Sequence, residues 1–314
     1  MKNIILLDGG VGQEIYKRAG KPHSPMWSAK VMMDNPEVVK EVHQDFIKAG
    51  ASIITINSYT CTPTRLERDS QVQLFEKLQQ QALHAASSAR DELGLTADDV
   101  SIAGCLPPLI GSYTVDERSF SELKNEYEQI VAIQEPVVDL FLIETISNIK
   151  EAKAAVEAAL QGGKPVWLSL TLSDIHPNQL RSGETIDEAL NSLKKYPLGA
   201  LLFNCSFPET IDQGISSLKH LDIHFGGYGN AFTSINALKP GGTVDLLSAR
   251  DDMDEKKYAS HVMDWIQKGA TVIGGCCEVG PSYINYIYKQ LQLEKYTIIS
   301  LKQGSCYRDR NPRH

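Results

Sequence analysis

Eight short apolar runs, each followed by a stretch with helical spacing, constrain this chain more than any other feature. They lie at 4–7, 52–57, 101–105, 140–144, 166–171, 200–204, 223–228 and 271–275. Strands this uniformly apolar are covered on both faces, the condition of a parallel sheet with crossover helices. Between them, Asn35-Pro36 opens a helix with Val39, Val42, Phe46 and Ala49 at helical spacing, and Gly50 ends it. A long helical region is expected over 63–95, and a loop from Gly111 to about Phe120. Asn148 caps a helix facing inward through Ala152, Val156 and Ala159. Thr185-Ile186-Asp187-Glu188 has capping-box spacing, and Pro281 opens a last helix carrying Ile284, Ile287 and Leu291. Eight such units predict an α/β protein, a single-domain (β/α)8 TIM barrel over residues 1–314, with a C-terminal tail after about 295. An open doubly wound sheet would want a phosphate-binding turn. Gly10-Val11-Gly12 supplies only part of one, because Ile15 stands at the third glycine position.

Composition narrows the function. A formal charge of −8 with no basic stripe argues against a nucleic-acid partner. Six cysteines in 314 residues, two of them adjacent, do not resemble a disulfide framework, so a reducing cytoplasm is expected. The first apolar run ends at Asp8, too short for a signal peptide, and no run reaches membrane-spanning length.

In a (β/α)8 barrel the chemistry collects at the C-terminal strand ends. Those ends carry Asp8, Asn57, Cys105, Glu144, Thr171, Asn204-Cys205, the Tyr228–Asn230 region and Cys276-Cys277. Adjacent cysteines on a regular strand point to opposite faces, so both can serve one atom only where the strand breaks, as Gly274-Gly275 permits. With Cys205 they make three thiolates, which suits zinc with one tetrahedral position open. Two alternatives stay open on the residues alone: buried thiols acting as small hydrophobes, or a vicinal disulfide. Tyr59 and Tyr113 fall in loops expected over the mouth, where they line a pocket or simply pack. Trp167 and Trp265 read as core. Cys61 and Cys306 have no evident partner, and the eight histidines form no ligand pair at helical spacing.

Asp8-Gly9-Gly10, Glu144-Thr145-Ile146-Ser147-Asn148 with Glu151-Ala152, Asn204-Cys205, and Gly274-Gly275-Cys276-Cys277 resemble, in this order, the zinc-dependent homocysteine S-methyltransferases. The resemblance implies Zn2+ held by Cys205, Cys276 and Cys277, and a homocysteine ammonium bound by Asp8 and Glu144. It also implies a carboxylate received by the Gly9-Gly10 turn. Asn57, Tyr59 and Asn204 join the expected substrate site. The implied reaction moves a methyl group to homocysteine and yields methionine, placing the enzyme in methionine biosynthesis with small-molecule partners only.

Related enzymes using methylfolate or cobalamin carry further domains, and betaine-using ones a C-terminal extension. This leaves a sulfonium donor, S-methylmethionine or S-adenosylmethionine. The chain departs from sulfonium-using relatives at Tyr228-Gly229-Asn230-Ala231-Phe232, where they carry Pro-Asn-Ser-Gly-Glu. The alternatives are a betaine-like donor, another thiol or a selenol acceptor, or a non-catalytic zinc-binding barrel. A lyase or aldolase would want a lysine at a strand end, and none is expected there.

Overall fold

Strand alternation builds the wall of the barrel. In β1 (Asn3–Leu6), Ile4 and Leu6 pack toward the helices, whereas Ile5, and Leu7 just beyond it, face the lumen. The same parity runs through β4 (Leu140–Ile146), with Leu140 and Leu142 inward and Phe141 and Ile143 outward. The remaining barrel strands are β2 (Ile53–Thr55), β3 (Ser101–Leu106), β5 (Val166–Leu170), β6 (Ala200–Asn204), β7 (His224–Tyr228) and β8 (Val272–Ile273). All pair in parallel, in the order β2-β3-β4-β5-β6-β7-β8-β1. The ring closes where Leu7 bridges Ile53: Ser52 N donates to the Leu6 carbonyl at 2.8 Å and Asp8 N to the Ile53 carbonyl at 3.1 Å. The fold is the expected (β/α)8 barrel. The computed structural model from which it is read describes residues 2–21, 24–235, 238, 244 and 247–303, so Cys306 lies outside the described residues.

Helices wrap the ring in sequence order. They are α1 (Val11–Arg18), α2 (Ser28–Asp34), α3 (Pro36–Lys48), α4 (Pro63–Arg68), α5 (Phe75–Glu92), α6 (Phe120–Gln134), α7 (Ile149–Gln161), α8 (Ile186–Leu193), α9 (Pro208–Gly214), α10 (Glu255–Gln267) and α11 (Pro281–Leu293). The expected caps form: Asn148 accepts from Glu151 N, and Thr185 with Glu188 closes a full capping box. Trp265 is buried in the helical layer and Trp167 in the lumen, as core residues. None of the helices among the described residues is long and apolar enough to cross a membrane.

Two elements differ from the sequence reading. The helical region over 63–95 is split, because Ser70 takes a left-handed φ of 56°. Gln71 N donates to the Leu66 carbonyl and Ser70 N to the Glu67 carbonyl, the Schellman closure of α4. Glycine usually marks that position, and serine here gives no such signal. The tail expected after about 295 also begins too early. Residues Thr297–Ile298 form β9, paired in parallel with Asn3 and Ile4. This strand occupies the lower part of the β1 edge that meets β2 two residues further on, and the Ile299 side chain joins the lumen cluster.

Candidate active site

The lumen parity of β4 delivers Glu144 to the mouth, as the next inward position after Leu142. The strand breaks register just beyond, between Ile143 and Ile146, and Thr145 takes a φ of 63°. Bulges of this kind re-aim side chains at barrel rims. Asn204 holds the distortion: its Oδ1 accepts from Thr145 N at 2.8 Å and from Ser169 Oγ at 2.8 Å, and its Nδ2 donates to Thr145 Oγ1 at 2.9 Å. Glu144 accepts from the Cys105 thiol at 3.1 Å.

Asp8 sits across the mouth on the β1–α1 turn, with its Oδ2 accepting from Thr55 N at 2.7 Å. Burial pushes the Glu144 carboxyl up to about 7. Asp8 is raised well above the ordinary range, first by burial and then by repulsion from Glu144, against the hydrogen bond from Thr55. Glu144 thus disfavours the charge of Asp8, and two buried carboxyls in one cavity are an arrangement that suits a cation.

The third segment is the β8–α11 turn. Gly274 and Gly275 are required by proximity and not by positive φ: a Cβ on Gly274 would stand 2.6 Å from Leu7 Cβ. Gly10 is pressed equally hard, since a Cβ there would lie 2.7 Å from the Cys276 carbonyl oxygen. The turn carrying Asp8 and the turn carrying the cysteines are therefore one packed unit. Gly10 N donates to the Val279 carbonyl at 2.9 Å, so this amide is engaged within the unit. Glu278, at φ 66°, ties the turn to α1 through Lys17 Nζ at 2.5 Å and Gln13 Nε2 at 2.6 Å. Cys205 follows β6 with φ 49°, and its carbonyl accepts from Arg181 Nη2 at 3.3 Å.

These turns bring the sulfurs of Cys205, Cys276 and Cys277 within 4.8 Å of one another. Cys205 and Cys276 are joined as a disulfide with Cα atoms 5.7 Å apart, and Cys277 is a free thiol. Burial, followed by the charges of Glu278 and Glu144, pushes the Cys277 thiol up to about 12. A tetrahedral metal with M–S bonds of ~2.3 Å sets its sulfurs ~3.8 Å apart. Three sulfurs within 4.8 Å make a cluster that, with the disulfide reduced, could hold a metal ion.

Asp8, Gly9, Gly10, Asn57, Tyr59, Glu144 and the three cysteines all line one cavity of about 1170 Å³, counted with its open mouth. Asn57 also ties β2 to α2, its Oδ1 accepting from Ser28 Oγ at 2.8 Å. Asn204 does not line the cavity; it lies fully buried behind Thr145. Tyr113 does line it, as do Cys105, Tyr228 and Phe232. Cys61 is buried in the helical layer. Several cavity residues escaped the sequence reading, among them Trp27, which belongs to a stretch without strand or helix periodicity, and Arg65, which no motif marked. Arg181 stacks on Tyr113 with its guanidinium carbon 4.6 Å from the ring centroid.

The family model described as homocysteine S-methyltransferase matches residues 5–291. Homocysteine S-methyltransferase 1 of Arabidopsis thaliana is 29% identical, over 91% of this chain and 93% of its own length. A selenocysteine methyltransferase of Astragalus bisulcatus is 26% identical, over 95% of each. Among solved structures, the metallated form of the Escherichia coli homocysteine methyltransferase MmuM superposes with a TM-score of 0.74 at 25% identity, covering 91% of this chain and 96% of that one. The same protein has also been solved in an oxidised form.

Proposed function

This chain belongs to the homocysteine S-methyltransferase family, and from that premise we propose that it methylates homocysteine from a sulfonium donor, with Zn2+ held by Cys205, Cys276 and Cys277. The observation carrying the reading is the convergence of three sulfurs, within 4.8 Å, in a cavity that also holds two buried carboxyls. When bound, zinc supplies the positive charge that keeps a substrate thiol deprotonated at neutral pH. Asp8 and Glu144 take the homocysteine ammonium, which restores both carboxyls to their charged forms. The Gly9-Gly10 turn, together with the N-terminus of α1, faces the substrate carboxylate. Asn204 acts through Thr145, keeping Glu144 aimed at the mouth. Trp27 and Phe232 offer the sulfonium aromatic faces, and with Tyr59 and Tyr113 they exclude water. Asn57 fixes the α2 side of the same wall.

In the transfer the homocysteine sulfur forms a bond to the methyl carbon. The donor C–S bond breaks, its electron pair stays on the leaving sulfur, and the thiol proton has already gone to solvent. Opposite charges are annihilated, which a dry site favours. Methionine is the product, and a reducing cytoplasm, where the three thiols stay free, is the compartment that suits the site.

The Astragalus relative, named for a selenocysteine substrate, favours a selenol acceptor as the second reading. The test is a panel with zinc-loaded, reduced protein: S-methylmethionine, S-adenosylmethionine, betaine and methylfolate, each with homocysteine or with selenocysteine. Methionine from a sulfonium alone supports the reading. Turnover only with betaine or methylfolate would overturn the donor, and turnover only with selenocysteine the acceptor.

A further inference from the structure

Arg65 is a charged cavity residue that takes no part in the chemistry above. It lies on α4, just beyond β2, and is only 6% exposed. Its Nη2 donates to the Pro108 carbonyl at 2.6 Å, and its guanidinium carbon lies 5.0 Å from the centroid of the Tyr59 ring. Its Nε is buried with no hydrogen-bond partner. No carboxylate among the described residues comes within the 4.0 Å of an ion pair with it. Glu151 feels its charge, but that acid is occupied by Leu109 N, Tyr127 and Asn148. The neighbouring cavity residue Arg68 is by contrast already engaged, with Asp69 and with the Ile110 carbonyl.

A buried guanidinium without a paired carboxylate carries a desolvation cost that the Pro108 carbonyl and the Tyr59 ring offset only in part. Its planar fork matches a carboxylate. The two cavity acids, Asp8 and Glu144, do not pair with it either, which gives the cavity an acidic wall and a separate cationic wall. A ligand carrying both signs would be oriented by that field, its anion toward α4 and its cation toward the acids and the cysteines.

From this we infer that Arg65 forms a subsite for the carboxylate of the methyl donor. The inference rests on the methyl-transfer reading and assigns the residue that recognises its sulfonium donor. Arg65 holds the donor by its carboxylate, and the positive sulfur is thereby directed away from the guanidinium and toward the thiol acceptor.

The test compares S-methylmethionine with its decarboxylated analogue, (3-aminopropyl)dimethylsulfonium, by calorimetric binding to zinc-loaded protein. It uses wild type, Arg65→Gln and Arg65→Lys, with the homocysteine KM measured alongside. Wild type is expected to prefer the carboxylate ligand by at least about tenfold, the strength of hydrogen bonds to a charged group. Arg65→Gln should erase that preference while leaving the analogue's affinity and the homocysteine KM within about twofold. Arg65→Lys should keep part of the preference, and it stands in if the glutamine variant fails to fold. No preference in wild type, a preference surviving in Arg65→Gln, or equal weakening of both ligands would overturn the subsite. A shift confined to homocysteine would assign Arg65 to the acceptor and overturn it as well. The preference without methionine from any donor would remove the methyl-transfer reading and leave the carboxylate subsite standing. Methionine formed without the preference would remove the subsite alone.

Discussion

Glu144 and Asp8 are the proposed partners of the substrate ammonium. Glu144→Gln or Asp8→Asn removes one charge partner of a desolvated ammonium and should weaken homocysteine binding by about 2–5 kcal/mol. Zinc content should be unchanged, because neither carboxyl approaches the sulfurs as a ligand. Loss of zinc with unchanged homocysteine affinity in the loaded fraction would show the roles reversed. The raised carboxyl also sets a pH dependence. Methionine has no thiol to titrate, so its affinity reads the carboxyls, and it should rise with pH as Glu144 ionises near 7. In Glu144→Gln that part of the rise should be absent. The ligand-free protein should behave oppositely: a folded pKa above the unfolded value favours the folded state at low pH. Glu144 therefore removes stability between about 4.5 and about 7, a loss that Glu144→Gln should reduce in urea titrations. Asp8, Glu144 and the three cysteines were legible in the sequence because strand ends face the mouth. The role of Asn204 was not. A buried amide that holds a left-handed threonine leaves the same sequence trace as an amide that binds substrate.

At the scale of elements, the site is three turns locked together, and its rigidity is bought with distorted backbone. Thr145, Cys205 and Glu278 all have positive φ, a conformation that side-chain-bearing residues keep only when their surroundings impose it. Asn204→Ala leaves the buried Thr145 N–H without its acceptor and should cost about 1–3 kcal/mol of stability. It should also raise the homocysteine KM more than the donor KM, since the displaced group is Glu144. An equal rise in both, or none, would mean that Asn204 does not act through the bulge. Helix caps at Asn148 and Thr185 were readable because their chemistry is local. The β4 bulge was not, because its cause lies on β6, about sixty residues away in sequence. The break after α4 stayed hidden for a different reason, a serine in a position where glycine is the usual marker.

At the scale of the whole molecule, the ring of eight strands places every strand end at one mouth, and the alternation of apolar runs was enough to foresee it. Ring closure adds a feature that alternation does not encode: β9 seals the lower β1 edge, with Ile299 in the lumen. Ile299→Ala should therefore lower stability by about 2–5 kcal/mol, the range for truncating a core isoleucine. A residue in a free tail would show no change in the urea midpoint. One short apolar pair after the last helix, Ile298-Ile299, is too weak a signal to read as a strand. In the proposed site, Cys205, Cys276 and Cys277 leave one metal position for the substrate thiol. X-ray absorption at the zinc edge of reduced, zinc-loaded protein measures this directly, before and after homocysteine. The expected result is three sulfur neighbours at ~2.3 Å rising to four on addition. Fewer than three sulfurs in the resting protein, or a shell that homocysteine leaves unchanged, would contradict it.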